Sequence, residues 1–106
     1  MKLEIDSLLE KIGLPYAYHS FNASRKKAIP PPYIVYVFTG TQNIKADNRV
    51  RYKVDTYRLE LYTSEKLPSV ELQIENVLEK HYIPWDKSEV YIDDQSMFEI
   101  IYDIDF

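Results

Sequence analysis

The sequence MFEIIYDIDF (residues 97–106) alternates between two kinds of side chain. Because successive side chains of a strand point to opposite faces, it predicts a strand with one face in the core and the other strongly acidic. The core face is predicted to carry Phe98, Ile100, Tyr102, Ile104 and Phe106. The other face is predicted to carry Glu99, Ile101, Asp103 and Asp105.

The segments before this strand predict its hairpin partner and a helix. EVYID (residues 89–93) favours a strand, and DDQS (residues 93–96) favours the turn that joins it to the last strand. LPSVELQIENVLEKHY (residues 67–82) has helical spacing of Val70, Ile74, Val77, Leu78 and His81. Pro68 fits the first turn of this helix, and Pro84 lies beyond its end.

Two segments in the middle of the chain predict strands joined by a long hairpin. YIVYVFT (residues 33–39) is β-branched and aromatic, which is typical of a strand covered on both faces. RYKVDTYRLELYT (residues 51–63) predicts a long second strand, in which Tyr52 and Val54 have the opposite phase to Tyr57, Leu59 and Leu61. The phase change indicates either a β-bulge or a ribbon whose outer half leaves the domain. The joining segment TGTQNIKADNRV (residues 39–50) is too long for a tight hairpin turn.

The first third of the chain predicts one helix and an irregular connection. LEIDSLLEKIG (residues 3–13) favours a helix over about residues 2–12, stopped by Gly13 and Pro15. Residues 14–32 predict a connection with one short strand near residues 16–19. Prolines at residues 30–32 predict a stiff, extended lead-in that either aims the next strand and its hairpin or simply ends the loop. The order α-β-β-α-β-β indicates a single α+β domain over residues 1–106, with two helices on a mostly antiparallel sheet.

Composition and charge exclude several classes of function. The 106 residues include no cysteine, which excludes disulfide scaffolds, thiol catalysis and cysteine-based zinc sites. No stretch approaches the roughly 18 apolar residues of a membrane span and no signal peptide is evident, so we expect a cytoplasmic location. Residues 22–53 contain seven lysines and arginines against one acid, whereas residues 85–106 contain seven acids against one lysine. The chain therefore has a basic middle, with a net charge of +6, and an acidic end, with a net charge of −6.

Neither charged segment carries a specific chemical motif. A divalent-metal site, as in a small nuclease, would combine the carboxylates of Asp93, Asp94, Asp103 and Asp105. No calcium-loop pattern accompanies them, which favours a solvated or partner-facing surface. The basic segment favours a protein contact over a nucleic-acid interface because the whole chain is acidic. His19 and His81 lack metal-ligand spacing, and we predict no catalytic residue, cofactor or metal.

Three segments together resemble a known protein family. PPYIVYVFTGTQNIKADNRV (residues 31–50), YRLELYT (residues 57–63) and the closing EIIYDIDF (residues 99–106) resemble the small tail terminator proteins of long-tailed bacteriophages and prophages. These are also called tail completion or tail-to-head joining proteins. The resemblance implies a sheet with helices packed on it and a long hairpin between the first two strands. Arg51 departs from the family pattern, where an apolar or aromatic residue is expected.

The resemblance also implies a function without catalysis. Tail terminators form hexameric rings that cap the tail tube, stop its polymerisation and dock on the head-tail connector. The partners expected for this chain are therefore copies of itself, the tail tube protein and connector proteins, with no specific nucleic acid, no membrane and no cofactor. Its expected location is the virion, and the host cytoplasm during assembly. A head-tail adaptor that forms no ring is the alternative binding function.

The two charged segments supply the candidate interface residues. On the predicted hairpin they are Asn43, Lys45, Asp47, Asn48, Arg49, Arg51 and Lys53. On the last strand they are Glu99, Asp103 and Asp105, a row of like charge that is expected to destabilise an isolated sheet. Such a row would either line the channel of the ring or meet the basic segment of the next subunit. We favour the second use because it accounts for both segments, which would then pair head to tail.

Overall fold

The computed structural model describes residues 4–19 and 30–106, which form two helices and seven strands. In chain order these are α1 (Ile5–Ile12), β1 (Tyr16–Tyr18), β2 (Tyr33–Thr41), β3 (Ile44–Ala46), β4 (Arg49–Tyr52), β5 (Asp55–Thr63), α2 (Pro68–Lys80), β6 (Trp85–Ile92) and β7 (Met97–Asp105). A 3-10 turn, Asp93–Gln95, joins β6 to β7. The α+β class is confirmed. The predicted order α-β-β-α-β-β is wrong, because five strands, not two, separate the helices.

The strands form two separate sheets. The larger has the order β1-β2-β5-β7-β6, and the smaller is the β3–β4 pair. All pairs are antiparallel except β1 and β2, which run parallel. The short predicted strand near residues 16–19 therefore exists as β1 and forms one edge of the main sheet. The mostly antiparallel architecture is confirmed.

The two helices end where their sequences predict. Gly13 adopts a left-handed conformation (φ 87°) and donates its N–H to the carbonyl of Leu9 at 3.3 Å, which ends α1. Pro68 occupies the first turn of α2. Beyond α2, Tyr82 donates to the carbonyl of Glu79 and Ile83 donates to that of Leu78, a Schellman-type ending. Neither described helix is long and apolar enough to cross a membrane.

The core lies between the helices and one face of the main sheet. Buried side chains of α1 and α2, including Leu8, Leu9, Ile74 and Leu78, form one cluster with apolar residues of the central strands. The contribution of β7 is Ile100, Tyr102 and Ile104, all essentially inaccessible to solvent. The predicted division of β7 into a core face and an acidic face is therefore confirmed. We call the side opposite the helices the open face.

Strand β2 is covered on both faces only at its start. The consecutive residues Ile34 and Val35 are buried, although they point to opposite faces, whereas Phe38 and Thr39 are exposed. The prediction of a strand covered on both faces thus holds for half of its length. Residues 31 and 32 form a bend with a cis peptide bond between Pro31 and Pro32, not the extended lead-in that was predicted.

The long hairpin differs from its prediction in two ways. The predicted strand over residues 51–63 is broken at residues 53 and 54 into β4 and β5, and only β5 belongs to the main sheet. Of the two explanations of the phase change, the ribbon whose outer half leaves the domain is therefore the one that the structure has. Residues 39–50, which were predicted to be too long for a tight hairpin turn, contain such a turn at their outer end. Asp47 (φ 54°) and Asn48 (φ 60°) are both left-handed, which is the geometry of a type I′ turn between β3 and β4. A register shift between Phe38 and Gly40 places a β-bulge in β2.

Candidate subunit interface

Residues 43–53, which we call the arm, project from the main sheet as a two-stranded ribbon. Every residue of β3 and β4 is exposed, and the molecule measures 50 × 30 × 25 Å along its principal axes. One side of the arm, residues 43–47, spans at most roughly 14 Å when extended. All seven hairpin residues of the candidate interface lie on the arm.

Four of these seven residues hold the arm together. The N–H of Val54 donates to Oδ1 of Asn43 at 3.0 Å, closing the base of the arm. Asp47 and Asn48 form the turn because their short polar side chains tolerate left-handed backbone. Arg51 donates to Asp47 at 3.1 Å across this turn. Their roles in the described structure are therefore internal to the arm.

The other three residues leave positive charge on the surface of the arm. Lys45, Arg49 and Lys53 are exposed, and none of them takes part in the ion pairs seen among residues 4–19 and 30–106. Arg51 is half exposed but already paired. These three cations can therefore contact an acidic partner without breaking an existing pair.

The acidic residues of β7 have neighbours that the sequence did not reveal. Arg58 of β5 lies directly across from Asp103 and donates to its carboxylate at 3.1 Å. On the other side, Asp86 of β6 is the register partner of Asp103. The expected row of like charge is therefore interrupted by one arginine and extended by one further aspartate, and the net charge of this end of the sheet remains negative.

The acidic end of the sheet forms a depression next to the base of the arm. Asp86, Asp103 and Asp105 line a cavity of about 450 Å³ together with residues of β2 and β5. Thr39 and Thr56 on the opposite wall lie with their hydroxyl oxygens 2.9 Å apart. We call this cavity the acidic depression. It places two of the three predicted β7 residues together.

Glu99 lies apart from the acidic depression, further back along β7. Its carboxylate accepts a hydrogen bond from the hydroxyl of Tyr62 at 3.0 Å. Burial and, next, the hydrogen bond and charge of Glu99 raise the pKa of Glu60, so these two carboxyl groups compete for ionisation on the open face. Burial also raises the pKa of Tyr62. Glu99 thus belongs to a half-buried cluster rather than to the exposed acidic end.

The geometry separates the four aspartates of the metal-site alternative. Asp93 belongs to the 3-10 turn that precedes β7, while Asp103 and Asp105 lie at the far end of that strand. Six steps of extended chain, from Met97 to Asp103, separate this turn from Asp103, a distance of roughly 20 Å. In the described part of the chain no group of three or more carboxylate, histidine or cysteine residues is placed to hold a metal ion.

The two histidines occupy backbone positions next to regular elements. His81 follows α2 directly and donates its N–H to the carbonyl of Val77 at 3.2 Å, as the prediction of a position at the helix terminus requires. His19 follows β1 and donates its N–H to the carbonyl of Tyr36 at 2.8 Å.

One further charged cluster is internal and fastens α2 to β6. Glu71 is buried and pairs with Lys66 at 2.8 Å and with Lys87 at 2.6 Å. Lys87 also pairs with Glu75, which accepts a hydrogen bond from Tyr102 at 2.7 Å. Burial opposes the ionisation of Glu71, but the two lysines outweigh it and lower its pKa. These carboxylates already have cationic partners, so we assign the cluster a structural role.

The sequence analysis missed a cluster of aromatic side chains beside the base of the arm. Ring contacts of 5.0–6.5 Å link six residues into one surface that we call the aromatic patch: Tyr16, Tyr18, Tyr36, Phe38, Tyr57 and Phe106. They come from four different strands or strand ends. The repeat of aromatic residues two apart in YAY and YVF was the only signal in the sequence, and it has no meaning until the register of β1, β2 and β5 is known.

Comparison with known proteins gives no assignment. No protein-family model matches the chain. No curated protein matches it at a significant level. The surfaces of the molecule, together with the sequence resemblance, are therefore the basis for inferring its function.

Proposed function

We propose that this chain is a structural virion assembly protein, a tail terminator. In this role it forms a ring, by the resemblance a hexamer, that caps the phage tail tube, ends tail polymerisation and joins the tail to the head connector. It acts by binding and not by catalysis, and it needs no cofactor. The observation that carries the proposal is the arm, a folded ribbon without a core of its own.

The arm supports self-association because it has no buried side chains of its own to stabilise it. An isolated two-stranded hairpin is marginally stable in water, and β3 and β4 bury none of their side chains. Three apolar side chains of the arm, Ile44, Val50 and Tyr52, are exposed together with its cations. A partner surface would bury the former and neutralise the latter.

The distribution of charge supports contacts between unlike surfaces. Lys45, Arg49 and Lys53 on the arm have no ion-pair partner among the described residues, whereas Asp86, Asp103 and Asp105 lie at the end of the main sheet. A two-fold axis would bring like surfaces together, whereas a head-to-tail contact brings the arm of one copy to the acidic end of the next. Such a contact closes into a ring when its rotation allows.

Solution mass at two protein concentrations and two salt concentrations tests the proposal. We expect a larger species at low salt that weakens at high salt, because screening reduces attraction between exposed charges. A monomer at high micromolar concentration that does not respond to salt would contradict ring formation. If such a monomer still bound the head-tail connector, the adaptor alternative would replace the ring.

Charge reversal tests which use the acidic residues serve. We expect Asp103→Lys with Asp105→Lys to abolish rings, and the further changes Arg49→Glu and Lys53→Glu, at cations without a described ion-pair partner, to restore them in part. Asp93→Lys with Asp94→Lys is the matched control, since it makes the same charge change at the other end of β7. Urea unfolding of each variant accounts for the loss of the pair between Arg58 and Asp103. Rings that survive the first reversal while DNA passage fails would assign the acidic residues to the channel.

Addition of the protein to polymerising tail tube protein tests the capping role itself. We expect the mean tube length, measured by electron microscopy, to fall as the ratio of this chain to tube protein rises. Tubes of unchanged length in the presence of assembled rings would contradict the assignment as a terminator.

A further inference from the structure

The aromatic patch contains a continuous apolar surface that is open to solvent. Tyr18 is 50% exposed and Phe38 is 44% exposed. The two lie side by side, because the backbone N–H of Phe38 donates to the hydroxyl of Tyr18 at 3.4 Å. Single exposed aromatic residues are common on protein surfaces, whereas contiguous ones mark interaction sites. Tyr57 packs edge-on against Phe38 and extends the surface towards β5.

Carboxylates surround this surface. Tyr36 donates to Asp6 at 3.0 Å, and Tyr16 donates to Glu10 at 2.7 Å. Burial raises the pKa of Tyr57, and the charges of Asp55, Glu4 and Asp6 add to the effect. Tyr57 also lines the acidic depression. The patch is therefore an aromatic centre with an acidic rim.

The arm carries the complementary arrangement. Tyr52 is 68% exposed, and its register partner on β3 is the exposed Ile44. Val50 is also exposed, but it is the register partner of Lys45 and so lies on the other face of the ribbon. Arg49 is the register partner of Ala46, two residues from Ile44, and therefore shares the face of Ile44 and Tyr52. The arm therefore has apolar side chains flanked by positive charge.

The arm of a chain cannot reach its own aromatic patch. Strands β2 and β5 run from the patch directly into the base of the arm. At that base the N–H of Gln42 donates to the carbonyl of Val54 at 2.9 Å, and Asn43 accepts from Val54 at 3.0 Å. These hydrogen bonds extend the pairing of β2 with β5 into the arm. They oppose the sharp bend that would be needed to fold the arm back onto the patch of its own chain. The occupant must come from another molecule.

We infer that the aromatic patch is the docking site for the arm of a second copy of this chain. Tyr52 and Ile44 of one copy pack on Tyr18, Phe38 and Tyr57 of the next, while Arg49, on the same face of the arm, meets the acidic rim. The inference rests on the proposed self-association, and it names the surface that receives the arm. Each copy then offers one arm and one patch, which makes the contact head-to-tail.

Cross-linking between two different single-cysteine variants tests this contact. The chain has no cysteine, so Ile44→Cys and Phe38→Cys each introduce a unique thiol. We expect the mixture of these two variants to form a disulfide-linked heterodimer under mild oxidation. Val90→Cys is the matched control in place of Phe38→Cys, because Val90 on β6 is 46% exposed, close to the 44% of Phe38, but lies away from the patch. Equal yields with the control would overturn the inference.

Truncation of the arm aromatic provides a second test. We expect Tyr52→Ser to raise the dissociation constant of the assembly about tenfold or more, as for an aromatic residue at the centre of an interface. Tyr82→Ser, which changes a side chain that is 93% exposed, should leave the assembly unchanged. Equal urea midpoints for both variants would show that folding is not the cause of any difference.

The outcomes separate this inference from the proposed function. Stable rings without a specific cross-link between residues 38 and 44 would overturn the arm-to-patch contact and leave the ring proposal in place. A specific cross-link in open chains that never cap a tube would support the contact and overturn the function. A wild-type chain that remains monomeric at all concentrations, together with cysteine variants that give no specific cross-link, would overturn both.

Discussion

Strands β4 and β5 are separated by only two residues, yet they have opposite surroundings. Strand β5 lies between β2 and β7, with Leu59 and Leu61 buried beneath the helices. Strand β4 pairs only with β3, and all of its residues are exposed. The helices and the neighbouring strands cover β5, whereas no described element covers β4. The main sheet is stabilised by its own core. The arm has the hydrogen-bonded strand pairing of a sheet, but its side chains are not buried.

Alanine substitution at matched aliphatic positions should give the largest difference between the two regions. We expect Leu59→Ala to lower the free energy of unfolding by about 2–5 kcal/mol, because it leaves a cavity in a fully buried site. Val50→Ala on the arm should lower it by less than about 0.5 kcal/mol. Urea unfolding of the monomer measures both. Similar losses for the two variants would show that the arm shares the core of the main sheet.

Two ion-paired carboxylates extend the comparison. Glu71 is buried between two lysines, whereas Asp47 pairs with Arg51 on the exposed arm. We expect Glu71→Gln to cost about 1–3 kcal/mol at pH 7 and Asp47→Asn less than about 0.5 kcal/mol. The pKa of Glu71 is lower in the folded chain than its ordinary value of about 4.3, so its contribution is present above that pH and is lost as the pH falls through the folded pKa.

Urea midpoints at pH 7 and pH 3 check both parts of the Glu71 prediction. The difference between the native chain and Glu71→Gln should shrink at the lower pH. A difference that is the same at both pH values would mean that the charge of Glu71 is not what stabilises the fold.

Glu60 on the open face should show the opposite sign. Its pKa is raised by burial and then by Glu99, so the folded chain favours the protonated form and ionisation at neutral pH opposes folding. We expect Glu60→Gln to stabilise the protein at pH 7 by less than about 1 kcal/mol, because solvent screens a half-buried group. The gain should disappear below about pH 4, where the unfolded chain is also protonated. Glu65→Gln, at an exposed position, is the control, and an equal gain there would refute the assignment.

The smallest expected effect is confined to the turn of the arm. Asn48 is left-handed in a type I′ turn, a conformation that glycine adopts without a steric cost. Asn48→Gly should raise the free energy of local opening, measured by amide exchange over residues 43–49, by a few tenths of a kcal/mol. The free energy of global unfolding should stay unchanged. In the monomer these amides should otherwise exchange fast, and they should be protected in the assembly. Uniformly high protection in the monomer would contradict this view of the arm.

Local sequence determined the elements whose boundaries depend on nearby residues. The alternation of β7 separates Ile100, Tyr102 and Ile104 from Asp103 whatever the rest of the fold does, because strand side chains have a period of two. The apolar spacing of α2 and the position of Pro68 likewise follow from helix geometry. The candidate arm cations could also be named from the sequence, since exposed lysine and arginine in a polar hairpin need no tertiary information.

Only the tertiary structure decided which residues meet across strands. Register pairs Arg58 with Asp103, sets Glu60 near Glu99 and gathers the aromatic patch from four parts of the chain. It also decides between the two explanations of the phase change in residues 51–63, because β4 leaves the main sheet while β5 stays in it. These outcomes depend on competition among distant segments for the same hydrogen-bonding edge and the same apolar surface, a competition that no short window of sequence contains.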